Sequence, residues 1–367
     1  MYPEMNEKMQ QNTRKPRIKD IAKMAGVSEG TVDRVLHNRG EVSAKSKEAV
    51  LKVLDQIQYS PNLLARSLAS KKHYRFSCLI PSYQPGDYWE FIENALLQAG
   101  RDFLQYNIHI DIHYFNQFDS ENFLELTENL LQLKPDAVIL APIFRNESLS
   151  FTVELQKNNI PFSFIDSLIE EAAFTTYYGQ NSFQSGYVAA KLLLNDLPEN
   201  SQVLVLRTKR QGAISNQTKH RFEGFMEYFD HHATNKKMKL VHVEISDTDD
   251  EANLELIREN FVTHPWIKGA ITFNSKVYRL ANYFRKLNHE TIRLIGYDLL
   301  DKNVDYLKQD VVSFLIAQSP GKQAYYTVRD LCNKLILKQD VNQLNFVPID
   351  ILMKENINDY INFREKY

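Results

Sequence analysis

The sequence is poor in the features that mark secreted and membrane proteins. It contains only two cysteines, Cys78 and Cys332, which excludes a disulfide-stapled scaffold and fits a reducing compartment. No apolar run approaches the length of a membrane span, and the stretch 137–144 is short and contains Pro142. The first seventeen residues are polar and lack the apolar core of a signal peptide. We therefore expect a cytoplasmic protein with no membrane partner.

The sequence also lacks the short motifs of common enzymes. It has no glycine-rich phosphate loop or dinucleotide turn, no G-x-S-x-G elbow and no H-E-x-x-H pair. The acidic run 247–251 lacks the glycine of a calcium loop, so we expect a solvated loop there. His231 and His232 are expected to form a surface pair rather than a metal site. These absences favour a protein that is not an enzyme and that needs no cofactor or metal.

Length and charge indicate more than one domain. A chain of 367 residues, 43% of them hydrophobic, is long enough for a small domain beside a two-lobed one. The first 72 residues hold 14 Lys and Arg against 8 Asp and Glu, a formal charge of +6. The remainder then carries −8 within a total of −2. A basic head on an acidic body favours contact between the head and a polyanion, although a solvated charged surface has the same composition.

Three short amphipathic helices are predicted in the basic head. Apolar residues recur at spacings of three and four from Ile18 to Ala25, and Gly26 follows where a helix C-cap is expected. Ser28 is a good N-cap for a second helix, and Ser43 is one for a third helix over residues 44–58. Two short helices joined by a turn that contains glycine form a helix-turn-helix.

The head resembles the DNA-binding region of the lac-repressor (LacI/GalR) family. The resemblance rests on ordered blocks of residues, namely Ile18-Lys19-Asp20-Ile21-Ala22, Ala25-Gly26-Val27-Ser28, Thr31-Val32, Arg34-Val35-Leu36, Asn38, Val42-Ser43 and the run YSPNLLARSL at 59–68. It implies a helix-turn-helix DNA-binding domain at 17–60, a hinge helix and linker at 61–72, and a ligand-binding and dimerisation domain at 73–367. Residues 62–70 are too few to form a stable helix alone, so a hinge helix there would need a partner.

The resemblance also implies DNA contacts for residues of the second helix and the hinge. Glu29 and Gly30 would begin the recognition helix, with Glu29 accepting from a cytosine amine or only capping the helix. Leu68 would wedge into the minor groove at the operator centre. The DNA-binding residues so implied are Ser28, Glu29, Gly30, Thr31, Arg34, Asn38, Asn62, Ala65 and Leu68. We expect a homodimer to read an inverted-repeat operator in double-stranded DNA.

The body alternates short β-rich runs with amphipathic helices. This alternation predicts parallel sheets, and around ten strands over nearly 300 residues favour two doubly wound α/β lobes rather than one. Helices are expected, among others, over residues 91–106, 121–133 and 182–195. The predicted strands cover residues 76–80, 109–114, 137–140, 162–165, 175–178, 202–206, 240–245, 269–273, 293–296 and 312–316.

Polar residues follow several of these strands, where ligands bind in such folds. Four of the candidates come just after a strand, one opens a helix, and two form an aromatic pair at the start of another helix. They are Asp166, Asn274, Asp298, Gln318, Arg221, Tyr88 and Trp89. Carboxylates, amides and arginine hydrogen-bond hydroxyl groups, and flat rings stack on a sugar ring. Three alternatives stay open: Asp298 as a helix N-cap, Arg221 in a surface ion pair and Trp89 as a core aromatic residue.

The body resembles the sensor domain of the same family and the ribose-type periplasmic binding proteins. The matching residues are Ile160-Pro161-Phe162 with Asp166, Arg221 with Gly224-Phe225, Asn274, Gly296-Tyr297-Asp298 and Ile316-Ala317-Gln318. The resemblance implies a two-lobed, type I periplasmic-binding-protein-like fold, with lobe 1 at about 74–179 and 317–345 and lobe 2 at about 180–316 and 346–367. It implies operator binding controlled by a small-molecule effector, a sugar or sugar derivative. A transport-type sugar-binding protein and an enzyme on an α/β fold are the disfavoured alternatives.

Overall fold

The structure of the chain is a computed structural model that describes residues 17–37, 40–57, 72–208, 215–233 and 236–364. The chain divides into two compact units, residues 1–66 and residues 67–367. Asn38, Asn62, Ala65 and Leu68, with most of the predicted linker 61–72, lie outside the described residues.

Three helices form the first unit: α1 (Ile18–Ala25), α2 (Glu29–His37) and α3 (Ala44–Gln56). Helix α1 ends at Gly26, whose φ of 65° lies in the left-handed region that favours glycine and whose N–H donates to Ala22 O. Ser43 caps α3, since its Oγ accepts the N–H of Ser46 at 3.2 Å. The predicted helix-turn-helix is present, and its third helix ends at Gln56 rather than at residue 58.

Two six-stranded sheets form the second unit. Their strand orders are β11-β5-β4-β3-β1-β2 and β12-β10-β9-β8-β6-β7. Every pair of neighbours is parallel except β10 and β12. The strands are β1 (Tyr74–Pro81), β2 (Ile108–Phe115), β3 (Ala137–Leu140), β4 (Phe162–Asp166), β5 (Tyr177–Gln180), β6 (Gln202–Thr208), β7 (Lys239–Ile245), β8 (Ile267–Thr272), β9 (Arg293–Tyr297), β10 (Phe314–Ala317), β11 (Leu344–Val347) and β12 (Asp350–Leu352).

Helices lie in most connections between the parallel strands, whereas β4 and β5 are joined by residues 167–176 without a helix. A short 3-10 helix, Leu104–Tyr106, follows the first of these helices. The α-helices of this unit are α4 (Tyr88–Asp102), α5 (Ser120–Leu133), α6 (Arg145–Lys157), α7 (Ser182–Leu194), α8 (Asn216–His232), α9 (Asp250–Thr263), α10 (Val277–Lys286), α11 (Asp301–Lys308), α12 (Pro320–Leu335) and α13 (Ile357–Arg364).

The predicted fold class is confirmed. All ten predicted strands are present, with ends shifted by at most two residues. Strands β3, β4 and β5 are buried along their whole length, and β3 accordingly consists of four consecutive apolar residues. The two short strands β11 and β12 were not predicted. Each is the outermost strand of its sheet.

The chain passes three times between the two sheets, after β5, after β10 and after β11. We call the first sheet with its helices lobe 1 and the second sheet with its helices lobe 2. Gln180, at the end of β5, contacts the other two crossings, because its Nε2 donates to Ala317 O at 2.9 Å and to Pro348 O at 3.2 Å. One amide therefore joins all three connections. The residue limits of the lobes stay a prediction.

Helices α7 and α8 of lobe 2 pack with their backbones in contact. A Cβ added at Gly186 would lie 1.8 Å from Arg221 O, and one added at Gly224 would lie 1.8 Å from Phe183 O. Neither position has room for a side chain. The two glycines therefore set how closely α8 approaches α7, and with it the position of Arg221.

Candidate functional site

A cleft between the lobes lies at the carboxyl ends of strands from both sheets, and it encloses about 90 Å³. Its walls carry aromatic rings, amides and carboxylates. Six of the seven predicted ligand-binding residues line it, namely Tyr88, Trp89, Asp166, Asn274, Asp298 and Gln318. The seventh, Arg221, is fully buried and is not part of the cleft surface.

Asp166 is the buried carboxylate that lobe 1 contributes to the cleft. It ends β4 with a φ of 68°, an uncommon conformation for a residue other than glycine. Its Oδ1 accepts hydrogen bonds from Tyr88 Oη and from Gln217 Nε2, both at 2.8 Å. Burial raises the pKa of Asp166, and the Tyr88 hydrogen bond and the charge of Arg221 oppose that rise. The side chain is thus held in one orientation at an energetic cost, as is common for a functional group.

Asp298 is the corresponding carboxylate of lobe 2. It follows β9 with a φ of 71°, and its Oδ1 accepts a hydrogen bond from Gln318 Nε2 at 2.9 Å. Helix α11 begins at Asp301 with Leu300 as its N-cap, so Asp298 is not a helix cap. Two strand-end aspartates with left-handed backbones therefore meet across the cleft.

Arg221 is buried on α8 with an exposed fraction of 0%. Its Nη1 donates to Phe273 O at 2.9 Å, and its guanidinium lies 3.8 Å from the ring centre of Tyr297. Its Nε and Nη2 have no hydrogen-bond partner among the described residues. The alternative of a surface ion pair is wrong, because the side chain does not reach the surface. Buried donors without a partner are costly, and an incoming oxygen acceptor would relieve that cost.

Asn274 and Trp89 complete the predicted set. Asn274 Oδ1 accepts the N–H of Lys276 at 2.9 Å, which fixes the amide at the end of β8. Trp89 lines the cleft with 7% of its surface exposed and packs edge-to-face on Tyr88 at 5.1 Å between ring centres. The ring is therefore both largely buried and present at the cleft.

Gln217 and Asp247 also line the cleft and were not predicted. Gln217 lies four residues before Arg221, one turn away on the same helix, and that spacing was the available signal. Residues 248–251 are exposed, which fits the predicted solvated loop, and residues 250 and 251 already belong to α9. Asp247 and Asp250 each lie 2.9 Å from the guanidinium of Arg279, which is 9% exposed, and Asp249 caps α9.

The start of α2 forms the candidate nucleic-acid face of the first unit. Ser28 Oγ accepts the N–H of Thr31 at 3.2 Å, while Val32 is fully buried in the helical core. Glu29, Gly30 and Arg34 are exposed, and Arg34 Nε donates to Gly30 O at 3.1 Å. The helix thus presents its first turns to the outside, as base-reading requires.

Two classes of feature are missing from the part of the chain that the structure describes. It contains no cluster of three or more His, Cys, Asp or Glu able to hold a metal ion. None of its helices is long and apolar enough to span a membrane.

Comparison with known families agrees with this geometry. Residues 77–339 match the family described as periplasmic binding protein domain, which is the class that the two sheets and the cleft between them define. Residues 17–62 match the bacterial regulatory proteins of the lacI family. The chain belongs to the lacI family of bacterial regulatory proteins, with a periplasmic binding protein domain as its larger part.

Individual relatives are regulators. A crystal structure described as a LacI transcriptional regulator from Bacteroides fragilis is 35% identical, with a TM-score of 0.75, over 79% of this chain and 100% of that one. The ribose operon repressor of Halalkalibacterium halodurans is 26% identical over 77% of this chain and 80% of its own length. The regulator DegA of Bacillus subtilis is 29% identical over 49% of this chain, and the match spans 52% of DegA, about half of that relative.

Proposed function

We propose that this chain is a cytoplasmic transcription regulator that binds operator DNA as a homodimer. A small-molecule effector in the cleft, a sugar or sugar derivative, would control that binding. We place the DNA-binding domain at 17–60, the linker at 61–72 and the sensor at 73–367. The observation that carries the proposal is one chain that joins an exposed, capped recognition helix to a cleft lined by two strand-end carboxylates.

The cleft chemistry supports a polyhydroxylated ligand. Asp166 and Asp298 offer carboxylate oxygens to ligand hydroxyls at the cleft surface, and Arg221, buried outside that surface, has two donors that lack acceptors among the described residues. Trp89 and Tyr88 supply flat apolar surface beside these groups. This combination suits a molecule that is polar along its edge and apolar on its face. One relative is named the ribose operon repressor, and ribose is a molecule of that class.

The basic head supports a DNA partner. Its +6 charge favours phosphate neutralisation, and the exposed Glu29, Gly30 and Arg34 are placed to meet base edges or phosphates. A homodimer would present two such heads to the two halves of an inverted repeat. Effector binding would change the geometry of the linkers, and a coupling of about 1–3 kcal/mol suffices for a large change in operator affinity.

The effector proposal is tested by a thermal-shift series with pentoses, hexoses, uronic acids, sugar phosphates and purines. A ligand of the native state at a hundredfold excess over its Kd stabilises the protein by about 2.7 kcal/mol. We expect one sugar class to raise the melting temperature. A rise with purines alone, or with no compound, contradicts the sugar class and leaves the DNA proposal standing.

Asp298→Ala tests the role of the cleft without changing the DNA-binding unit. We expect this variant to lose the effector response, because its carboxylate and its contact with Gln318 are gone, while DNA affinity without effector stays unchanged. Fluorescence anisotropy with an operator selected from random DNA measures both. A retained effector response removes Asp298 from the site.

Leu68→Ala tests the proposed minor-groove wedge. Loss of a wedge weakens binding to the selected operator much more than binding to random DNA, since only the specific complex kinks the duplex. The same anisotropy assay at fixed salt compares the two affinities. Equal weakening of both contradicts the wedge.

A further inference from the structure

Two neighbouring side chains at the start of α8 reach across the cleft from lobe 2 to lobe 1. Gln217 Nε2 donates to Asp166 Oδ1 at 2.8 Å, and Asn216 Nδ2 donates to Leu168 O at 2.7 Å. Helix α8 follows β6 of lobe 2, whereas Asp166 and Leu168 lie at and beyond the end of β4 in lobe 1. Both bonds therefore join the lobes directly, through the protein alone.

Gln217 contacts groups that face the cleft. Its Nε2 also lies 3.1 Å from Gln318 Oε1, so a single amide nitrogen contacts both the Asp166 carboxylate and the connection that follows β10. Asp166 Oδ1 accepts hydrogen bonds from Tyr88 and Gln217, whereas among the described residues Oδ2 has only Ser167 Oγ, at 3.4 Å, as a partner. Gln217 thus orients the carboxylate and leaves Oδ2 as its less occupied oxygen.

Burial makes these contacts sensitive to opening of the cleft. Asp166 is 3% exposed, Gln318 is 1% exposed and Asn216 is 6% exposed. Hydrogen bonds among such groups are stronger than the same bonds in water, and every one of the inter-lobe bonds must break if the lobes separate. The two residues are therefore placed to resist separation.

We propose that Gln217 is a positioning residue of the cleft and that Gln217 and Asn216 together form a latch that holds the lobes closed before any ligand enters. The latch orients Asp166 toward the cleft through its Oδ1. A ligand then meets a preformed site, and it gains Asp166 Oδ2 directly but reaches Oδ1 only by displacing Gln217. Hinge closure is thus under the control of two side-chain amides as well as of the ligand.

Trp89 provides a ligand-free test in the full chain. The sequence contains two tryptophans, and Trp266 is 63% exposed whereas Trp89 is 7% exposed in the cleft. In a Trp266→Phe background, acrylamide quenching of fluorescence reports the opening of the cleft at Trp89. We expect Gln217→Ala and Gln217→Leu to raise the quenching constant several-fold and to shift the emission to longer wavelength. Gln217→Leu keeps the bulk and removes the donors, so it isolates the hydrogen bond.

Gln184→Ala is the matched control, since Gln184 is an exposed glutamine on α7 of the same lobe. Asn216→Ala tests the second bond and should give a smaller increase of the same sign. Circular dichroism melting identifies variants that fold cooperatively, and only these are compared. Quenching of Gln217→Leu and Asn216→Ala equal to that of Gln184→Ala overturns the latch. Because the probe is acrylamide alone, the result is separate from the effector proposal.

Discussion

Two acidic side chains, one from each lobe, lie in opposite environments. In lobe 1, Asp166 is buried at the cleft, and burial raises its pKa. In lobe 2, Asp250 lies at the surface, and hydrogen bonds from Tyr283 and Arg279 lower its pKa. Asp166 ends strand β4, and Asp250 lies five residues after strand β7. The contrast teaches that a carboxylate buried at the cleft stays energetically costly, whereas one beside a guanidinium is stabilised in its charged form by its neighbours.

The sharpest difference between the lobes is expected in helix packing. Gly224→Ala in lobe 2 forces a Cβ into the backbone of Phe183, and we expect a loss of about 3 kcal/mol of unfolding free energy. Gly100→Ala in lobe 1 meets only the Ile110 side chain at 3.5 Å, and we expect a gain of about 0.5–1 kcal/mol from helix propensity. Urea unfolding followed by circular dichroism measures both. Equal effects contradict the close contact of α7 and α8.

Removing one ion-paired arginine from each lobe should give a second, smaller difference in unfolding free energy. Arg279→Met in lobe 2 removes a largely buried guanidinium from Asp247, Asp250 and Ser246 O, and we expect a loss of about 2 kcal/mol. Arg145→Met in lobe 1 breaks an exposed pair with Glu171, and about 0.5 kcal/mol or less is expected. The same unfolding assay checks the ranking, and a reversed order argues against the Arg279 cluster as a structural centre of lobe 2.

The smallest expected effects are in the pH dependence of stability, where the contributions of Asp166 in lobe 1 and Asp250 in lobe 2 should change in opposite directions with pH. The pKa of Asp166 is raised in the folded state, so ionisation of this side chain lowers the unfolding free energy of the wild type as the pH rises above 3.8. The unfolding free energy of Asp166→Asn should therefore increase relative to that of the wild type over this range. The pKa of Asp250 is lowered in the folded state, so the charged side chain stabilises the fold at neutral pH and this stabilisation is lost in acid. Asp250→Asn should therefore have a lower unfolding free energy than the wild type only near neutral pH. Urea unfolding from pH 7 to pH 3.5 tests this. Parallel profiles for the two variants contradict the contrast.

Most of the fold was predictable because local and global signals agree there. Strand β3 is a continuous apolar run, and helices α1 and α3 begin or end at capping residues. Strand β11 was not predictable, because Leu344 and Phe346 are half exposed and the strand exists only by pairing with β5. Its formation depends on a partner more than 160 residues away in sequence.

The candidate site was predictable where it follows strands and not elsewhere. Asp166, Asn274, Asp298 and Gln318 come directly after β-rich runs, and the carboxyl ends of those strands converge on one cleft. Gln217 comes after the segment 209–214 and has no strand beside it as a marker. The ion pair of Asp247 was not predictable, because its partner Arg279 is 32 residues further along the chain.

The contact of Gln180 with Ala317 and Pro348 has a mechanical consequence. Three separate connections between two bodies would ordinarily permit bending, twisting and sliding. The Gln180 side chain, on the first connection, donates to the other two connections, so the three share one pivot. If one connection slid past another, Gln180 Nε2 would lose one of its two hydrogen bonds. Rotation of the lobes about that pivot keeps both hydrogen bonds of Gln180, and we therefore expect it to be the relative motion of the lobes with the lowest cost.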